Sequence, residues 1–175
     1  MIIYHYAFDL NHAAFRIMVL LRALGGHKIE PEKLRILDFY YMFPRELPSI
    51  SHPEWRMLRS EFGQVFQYEE IVNPSRVFYK TGPVFYGAID YLKAHEIVKI
   101  DRSDEGDELI HINSSNLPDG LAERLVEART EASTIIDFLV NDLAMYPLHN
   151  EKGLKDRTKL LPYKNDRKSP TLSGS

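Results

Sequence analysis

The sequence predicts an α+β fold that is mainly helical. Over most of the chain, apolar residues recur at intervals of three and four, as in helices that bury one face. Clear alternation of apolar and polar residues occurs in one pair of short segments, 97–100 and 109–112, which favours a β-hairpin. The 175 residues are 44% hydrophobic, a fraction typical of a chain that buries a core.

The first predicted helix follows a residue that can cap its free N–H groups. Asp9 or Asn11 is placed for that role, because both residue types favour the N-cap position. Two glycines follow Leu24 and are expected to end the helix there. The apolar stripe along this segment predicts that one face lies in the core.

The second helix is predicted to begin at Pro31 and to stop before Pro44. It is apolar almost all round, so it is either central to the core or covered by another chain. Asp38 would then be a buried charge, which is costly unless it is paired. We therefore expect Asp38 to pair with Arg35 or with Arg16.

Less regular segments follow the second helix. Residues 54–62 form a plausible third helix, with large apolar residues on one side. Residues 65–72 predict a short strand or an extended loop. The sequence Asn-Pro-Ser at 73–75 indicates a turn.

A helix followed directly by a hairpin is predicted near the middle of the chain. Thr81 can cap this helix, with Pro83 in its first turn. The strands at 97–100 and 109–112 flank a charged turn in which Gly106 supplies the positive φ that a tight hairpin needs. This order is typical of a winged helix, with the hairpin as its wing.

The predicted wing is acidic. Winged helices usually read duplex DNA with the helix and the wing, but a phosphate backbone would repel this turn, since like charges raise the free energy of binding. The turn carries four carboxylates: Asp104, Glu105, Asp107 and Glu108.

The predicted recognition helix also offers few groups for reading bases. Outside its buried stripe it has one basic residue, Lys93, and Asp90 offsets that charge. An exposed tyrosine such as Tyr86 suits a protein interface instead. We expect Tyr86, Asp90 and the wing carboxylates to meet a basic patch on a protein partner.

The longest predicted helix spans 116–146. Its apolar residues step by four and three, close to a seven-residue seam. Leu125, Ile135 and Leu139 lie on this seam and are predicted to pack on a helix, either within this chain or across an interface with a partner.

Charge divides the chain unevenly. Residues 1–146 hold 15 basic and 22 acidic residues, a net charge of −7, whereas 147–175 hold 7 and 3, a net charge of +4. We predict a helical and winged-helix domain at 1–115, the long helix at 116–146, and a basic, partly disordered tail at 147–175.

Motifs for catalysis or cofactor binding are missing from the sequence. Without cysteine, a disulfide or a zinc-thiolate site is impossible, and neither a nucleophile elbow nor a phosphate-binding loop is present. His5, Asp9 and His12 have a helical spacing that could hold a metal, but the sequence before Asp9 does not favour a helix, so capping or packing is the preferred interpretation. We expect no cofactor, no metal and no enzymatic activity.

Roughly the first fifty residues contain a set of recognisable segments: Tyr4-His5-Tyr6-Ala7-Phe8-Asp9, His12, Phe15-Arg16, Leu34-Arg35-Ile36-Leu37-Asp38-Phe39-Tyr40 and Phe43-Pro44. In these segments the chain resembles a known family, the middle component of ABC-three-component systems, which includes the small accessory subunit of Lamassu-type prokaryotic defence systems.

The resemblance implies a subunit without catalytic residues that joins an SMC-like ATPase to a nuclease-like effector, in a complex that responds to phage or plasmid DNA. Nucleic acid would then be reached only indirectly, through the complex. The alternative is a winged-helix transcription regulator that binds DNA and forms a homodimer through the seam of its last helix. Neither hypothesis involves a membrane, and no export signal or membrane-spanning segment is recognisable, so we expect a cytoplasmic protein.

Overall fold

The computed structural model describes residues 6–63 and 71–161. This part of the chain is mainly helical, with one two-stranded antiparallel sheet, which confirms the mainly helical α+β class. The predicted extended segment at 65–72 lies almost entirely outside the described residues. The elements are α1 (Leu10–Ala23), α2 (Pro31–Met42), α3 (Trp55–Phe62), α4 (Pro74–Ala94), β1 (Val98–Arg102), β2 (Glu108–Ile112), α5 (Leu121–Glu131), α6 (Ser133–Asn141) and α7 (Leu154–Thr158).

Helices α1 and α2 begin where the sequence predicts. Asp9 caps α1, its Oδ1 accepting a hydrogen bond of 2.8 Å from the N–H of His12. Pro31 occupies the first turn of α2, where a missing N–H costs nothing. Helix α2 packs against α1, α4 and α6, so its nearly continuous apolar surface is covered within this chain.

The middle helix is longer than predicted. Helix α4 begins at Pro74, so the turn expected at 73–75 is instead its N-terminus, and Thr81 is not a cap. Asn73 caps it, with Oδ1 accepting from the N–H of Arg76 at 3.0 Å. Thr81 lies in the buried interior and donates its hydroxyl hydrogen to the Phe78 carbonyl at 3.0 Å. Pro83 is also inside the helix, where it lacks the N–H that would bond the Tyr79 carbonyl. Tyr79 is largely exposed, so water can reach that turn of the helix.

The predicted hairpin is present, with slightly longer strands. Val98 pairs with Ile112 and Arg102 pairs with Glu108 at the two ends of the antiparallel register. Ile29, in the connection between α1 and α2, adds an isolated bridge to Ile110, with hydrogen bonds of 3.0 and 2.8 Å in the two directions. The outer edge of β2 is therefore held to the body of the protein.

The segment predicted as one long helix, 116–146, is two helices. Helix α5 ends at Glu131, the backbone of Ala132 (φ −111°, ψ 29°) leaves the helical region, and α6 begins at Ser133. Arg129 and Asp137 form a salt bridge of 2.8 Å across the break. The change of direction lets α5 pack on α1 while α6 packs on both α1 and α2. The division into domains stays a prediction.

Part of the predicted basic tail is packed on the body. Leu148, Leu154 and Leu160 are buried, and the buried Lys155 ammonium lies 2.8 Å from a carboxylate oxygen of Glu32 on α2. The segment from 147 to 161, which includes α7, thus belongs to the folded unit. Residues 162–175 lie outside the described part of the chain. None of the described helices is long and apolar enough to cross a bilayer.

Candidate partner-binding surfaces

The wing tip is an exposed and well-formed acidic turn. Gly106 has φ 89° and donates its N–H to the Ser103 carbonyl at 2.9 Å, while the Ser103 N–H bonds the Asp107 carbonyl at 2.8 Å. The four predicted carboxylates are all exposed: Asp104, Glu105, Asp107 and Glu108. Their concentration on a fixed turn makes this a negative surface that can attract cations at a distance.

The body side of the wing is fixed by ionic contacts. Asp101 lies 2.8 Å from the Lys28 ammonium and 3.4 Å from His111 Nδ1. The hydrogen bond from Lys28 is the main reason that the pKa of Asp101 falls below its usual range. Because Asp101 is well exposed, these contacts orient the hairpin more than they stabilise the fold.

The exposed face of α4 is more basic than predicted. Tyr86 is 41% exposed and Asp90 is exposed, as the sequence indicated. The extra two turns of helix add exposed Arg76 and Lys80, together with Tyr79, which is 81% exposed. The sequence interpretation omitted these residues because it began the helix at Thr81.

The seam residues are mostly internal. Leu125 and Leu139 are completely buried, and Ile135 is half-buried. Leu125 lies on α5, which packs on α1, and Leu139 lies on α6, which packs on α2. The sequence left two alternatives for the seam, packing on a helix of this chain or across an interface with a partner. The two leucines pack within the chain, so in this structure they are core residues.

A buried ion pair joins α1 to α2. Asp38 is only 2% exposed, and its two carboxylate oxygens accept hydrogen bonds from Arg16 Nε at 2.8 Å and Arg16 Nη2 at 3.2 Å. Of the two partners expected for Asp38, Arg16 is confirmed. Burial raises the pKa of Asp38, and the Arg16 guanidinium opposes this by favouring the charged carboxylate.

Arg35 makes a different contact, to the backbone of α4. Its Nη2 donates to the Phe78 carbonyl at 2.5 Å, and its guanidinium lies 4.0 Å from the centre of the Phe78 ring. Gly82 permits this approach, since a Cβ at that position would lie 2.7 Å from Arg35 Nη2. The arginine therefore reaches a helical carbonyl because the neighbouring residue has no side chain.

Replacing Gly82 with alanine tests this approach. Alanine favours a helix over glycine by about 1 kcal/mol, but the new Cβ displaces Arg35 from a charge-assisted hydrogen bond that contributes about 1.5–3 kcal/mol. We expect Gly82→Ala to lower the free energy of unfolding by about 1 kcal/mol in urea denaturation. In an Arg35→Met background the same change should stabilise the protein, because only the helix preference is left. Stabilisation in the wild-type background would contradict this account.

The predicted metal alternative can be followed only in part. Asp9 is used as the cap of α1, as the capping interpretation expected, while His5 lies outside the described residues. Within 6–63 and 71–161, no group of three or more candidate ligand residues could hold a metal ion.

The chain resembles a known protein family over nearly its whole length. The chain matches the model of the family described as ABC-three component (ABC-3C) system Middle Component 5, over residues 2–166. The chain belongs to this family. No curated protein and no solved structure gave a match.

Middle Component 5 membership agrees with the resemblance found in the first fifty residues, and the structure shows what several of those residues do. Asp9 caps α1, the Arg16–Asp38 pair joins α1 to α2, and Arg35 joins α2 to α4. These residues start α1 and join α2 to α1 and α4, whereas the exposed wing and the exposed face of α4 lie outside the resembling segment. The ABC-three-component assignment places this chain in a system of several protein components, so protein partners are implied.

Proposed function

We propose that this chain is a non-enzymatic docking subunit of a prokaryotic defence complex, of the Lamassu type, that acts against phage or plasmid DNA. It would join an SMC-like ATPase to a nuclease-like effector through protein contacts. Membership of a middle-component family supports the accessory role. The observation that carries the docking proposal is the acidic wing tip, which is exposed on a hairpin fixed to the body.

The wing and the nearby end of α4 form one surface in this proposal. Tyr86 and Asp90 lie in the second half of α4, and β1 begins four residues after that helix ends. A tyrosine anchor beside several carboxylates suits a partner with a basic patch, because the charges speed the encounter and the ring supplies contact area.

Charge reversal at the wing tip tests the docking surface. The tagged chain carries Asp104→Lys and Glu105→Lys. It is co-expressed with the ATPase and effector encoded beside it. We expect the affinity for the ATPase subunit to fall at least 10-fold, since opposite charges become like charges, and the wild-type affinity to weaken with added salt. Surface plasmon resonance at two salt concentrations measures both effects.

A matched variant, Glu123→Lys with Glu127→Lys, makes the same charge change on exposed positions of α5. It should bind the ATPase subunit like the wild type. Equal losses in both variants would show that only net charge matters, and a wild-type chain that does not co-purify with either neighbour would contradict the docking role. ATP hydrolysis or DNA cleavage by the isolated chain would contradict its non-enzymatic character.

The second candidate is a winged-helix regulator that binds DNA through α4. Helix α4 is followed by β1 and β2, and Ile29 forms an isolated antiparallel bridge to Ile110 beside β2. This arrangement supports a winged helix. The exposed Arg76 and Lys80 favour phosphate contacts along α4. Salt-sensitive duplex binding that disappears in Arg76→Gln/Lys80→Gln would favour this candidate over the docking role.

A further inference from the structure

A positively charged groove lies between α3 and the short 3-10 segment Pro44–Ser49. Its volume is about 760 Å3. Arg56, Arg59 and Ser60 line it from α3, where their spacing of three and four puts them on one helix face. Arg45 and Ser49 line it from the 3-10 segment, and a proline and a glycine complete the lining. We call this feature the arginine groove.

The arginine groove combines the groups that bind phosphate. Guanidinium groups present paired N–H donors that match two oxygens of a phosphate, and serine hydroxyls are also common phosphate donors. Among the described residues that line the groove, none carries a carboxylate. Arg45 lies close enough to Glu46 to oppose the rise in the pKa of that carboxyl caused by burial, and Arg56 and Arg59 are exposed, so all three arginines contribute to the positive charge of the lining.

The lining argues for a phosphate ligand over a protein segment. Protein interfaces are built around aromatic or aliphatic anchors, and among the described residues of the lining only Pro48 has an apolar side chain. A run of phosphates needs only the charges and hydroxyl donors that are present. The groove is also open along the surface of α3, where Arg56, Arg59 and Ser60 are all exposed.

The groove is well separated from the acidic wing. Ser51, just after the 3-10 segment, donates its N–H to the Arg157 carbonyl at 3.2 Å, and Ser75 donates its hydroxyl to the Lys159 carbonyl at 3.0 Å. These bonds to the α7 segment place the groove toward the start of α4, whereas the wing follows the end of this helix. A helix of 21 residues is roughly 30 Å long, almost four Debye lengths at physiological salt, so repulsion by the wing is largely screened at the groove.

We propose that the arginine groove binds the phosphodiester backbone of nucleic acid, without reading its sequence. This goes beyond the docking role, which gives the subunit no nucleic-acid contact of its own. Three neutralised phosphates on duplex DNA give a slope of about −2.7 in a plot of log affinity against log salt concentration. That slope corresponds to about 40-fold weaker binding at 200 mM salt than at 50 mM.

Fluorescence anisotropy with a labelled 20-base-pair duplex tests the proposal on the full chain. In Arg56→Gln/Arg59→Gln we expect affinity at 50 mM salt to fall at least 10-fold and the slope to become shallower by about 2, because two phosphate contacts are lost. Both residues are exposed, so circular dichroism should show an unchanged fold. Lys93→Gln/Arg124→Gln is the matched control, since it removes the same charge from exposed positions on α4 and α5 and should change the slope by less than one unit.

Two further measurements distinguish phosphate binding at the groove from general binding of polyanions and from binding by the basic tail. A poly-glutamate peptide should compete poorly with the duplex. A chain with Lys164, Arg167 and Lys168 changed to Gln should still lose duplex affinity when Arg56 and Arg59 are also replaced. The proposal is overturned if the wild type does not bind at 50 mM salt, or if the groove and control variants lose the same affinity. It is also overturned if poly-glutamate of equal charge competes as well as DNA, or if the tail variant alone abolishes binding. These outcomes are independent of whether the chain co-purifies with the ATPase, so the docking role and this proposal fail separately.

Discussion

Leu139→Asp is expected to unfold most of the protein. Leu139 is completely buried on α6, where that helix packs on α2. Removing a buried leucine costs about 2–5 kcal/mol, and a carboxylate at the same place must also lose its hydration without a partner. Because small domains are stable by only about 5–15 kcal/mol, we expect a loss of at least 5 kcal/mol and little cooperative unfolding in urea.

Two controls separate core packing from the chemistry of the new residue. Leu139→Met nearly conserves volume and should cost less than about 1.5 kcal/mol. Val126→Asp places the same carboxylate on α5 at a residue that is 49% exposed, so it should cost less than about 1 kcal/mol. A folded Leu139→Asp chain that loses only its partner would contradict the burial described here and restore the seam as an interface.

The seam shows what periodicity can and cannot predict. A regular apolar spacing indicates that one helix face is buried, and the complete burial of Leu125 and Leu139 agrees with that. The pattern does not say what covers the face, because α1 and a partner helix would offer the same apolar surface. Nor does it show the break at Ala132, since alanine favours helices and the bend depends on packing against α1 and α2.

The start of α4 shows a second limit. Both Asn73-Pro74 and Thr81 with Pro83 have the local signature of a helix start, and the two sites lie less than three turns apart. The structure uses the first site. The helix passes through Pro83 because the carbonyl opposite the missing N–H belongs to Tyr79, which is largely exposed to water, and the local sequence does not reveal this exposure.

The candidate surfaces divide in the same way. The acidic wing could be predicted because hairpin turns are exposed for local reasons, and the four carboxylates are adjacent in sequence. The arginine groove could not be predicted, since Arg45 and Arg56 come from different elements and have no common motif. The family segment gave the residues of the ion pair but left two possible arginines, which only the packing of α1 on α2 distinguishes.

Breaking the Arg16–Asp38 pair is expected to cost about 3–5 kcal/mol from either side. In Asp38→Asn the guanidinium of Arg16, whose side chain is 11% exposed, loses its counter-charge, and in Arg16→Met the buried carboxylate loses two charge-assisted hydrogen bonds. Urea denaturation at pH 7 measures both losses. A surface pair such as Arg129–Asp137, where both side chains are more than 40% exposed, provides the control, and Asp137→Asn should cost less than about 1 kcal/mol.

Acid should distinguish the two broken forms. In Arg16→Met, burial acts on Asp38 without the opposing guanidinium of Arg16, so its pKa in the folded state rises further above the unfolded value of 3.8. The folded state then binds the proton more tightly than the unfolded state. The defect is therefore small below about pH 4, grows as pH rises toward the folded pKa, and is constant above it. In Asp38→Asn this carboxyl is gone and its contribution to the pH dependence disappears. A defect in Arg16→Met that is as large at pH 4 as at pH 7 would show that Arg16 acts by packing alone.

Replacing both members tests whether the pair stabilises the fold or only avoids a penalty. Arg16→Met/Asp38→Leu leaves no charge at this contact between α1 and α2 and fills it with apolar atoms. Buried ion pairs are often matched by apolar residues of similar volume, so the double variant should be more stable than Arg16→Met alone or Asp38→Leu alone, with several kcal/mol of coupling between the two changes. Arg35 is expected to keep its bond to the Phe78 carbonyl in that variant, because this bond does not involve Asp38. A double variant that lost as much stability as the two single variants together would mean that the two residues act independently. That result would contradict the view that the direct hydrogen bonds between them hold α1 on α2.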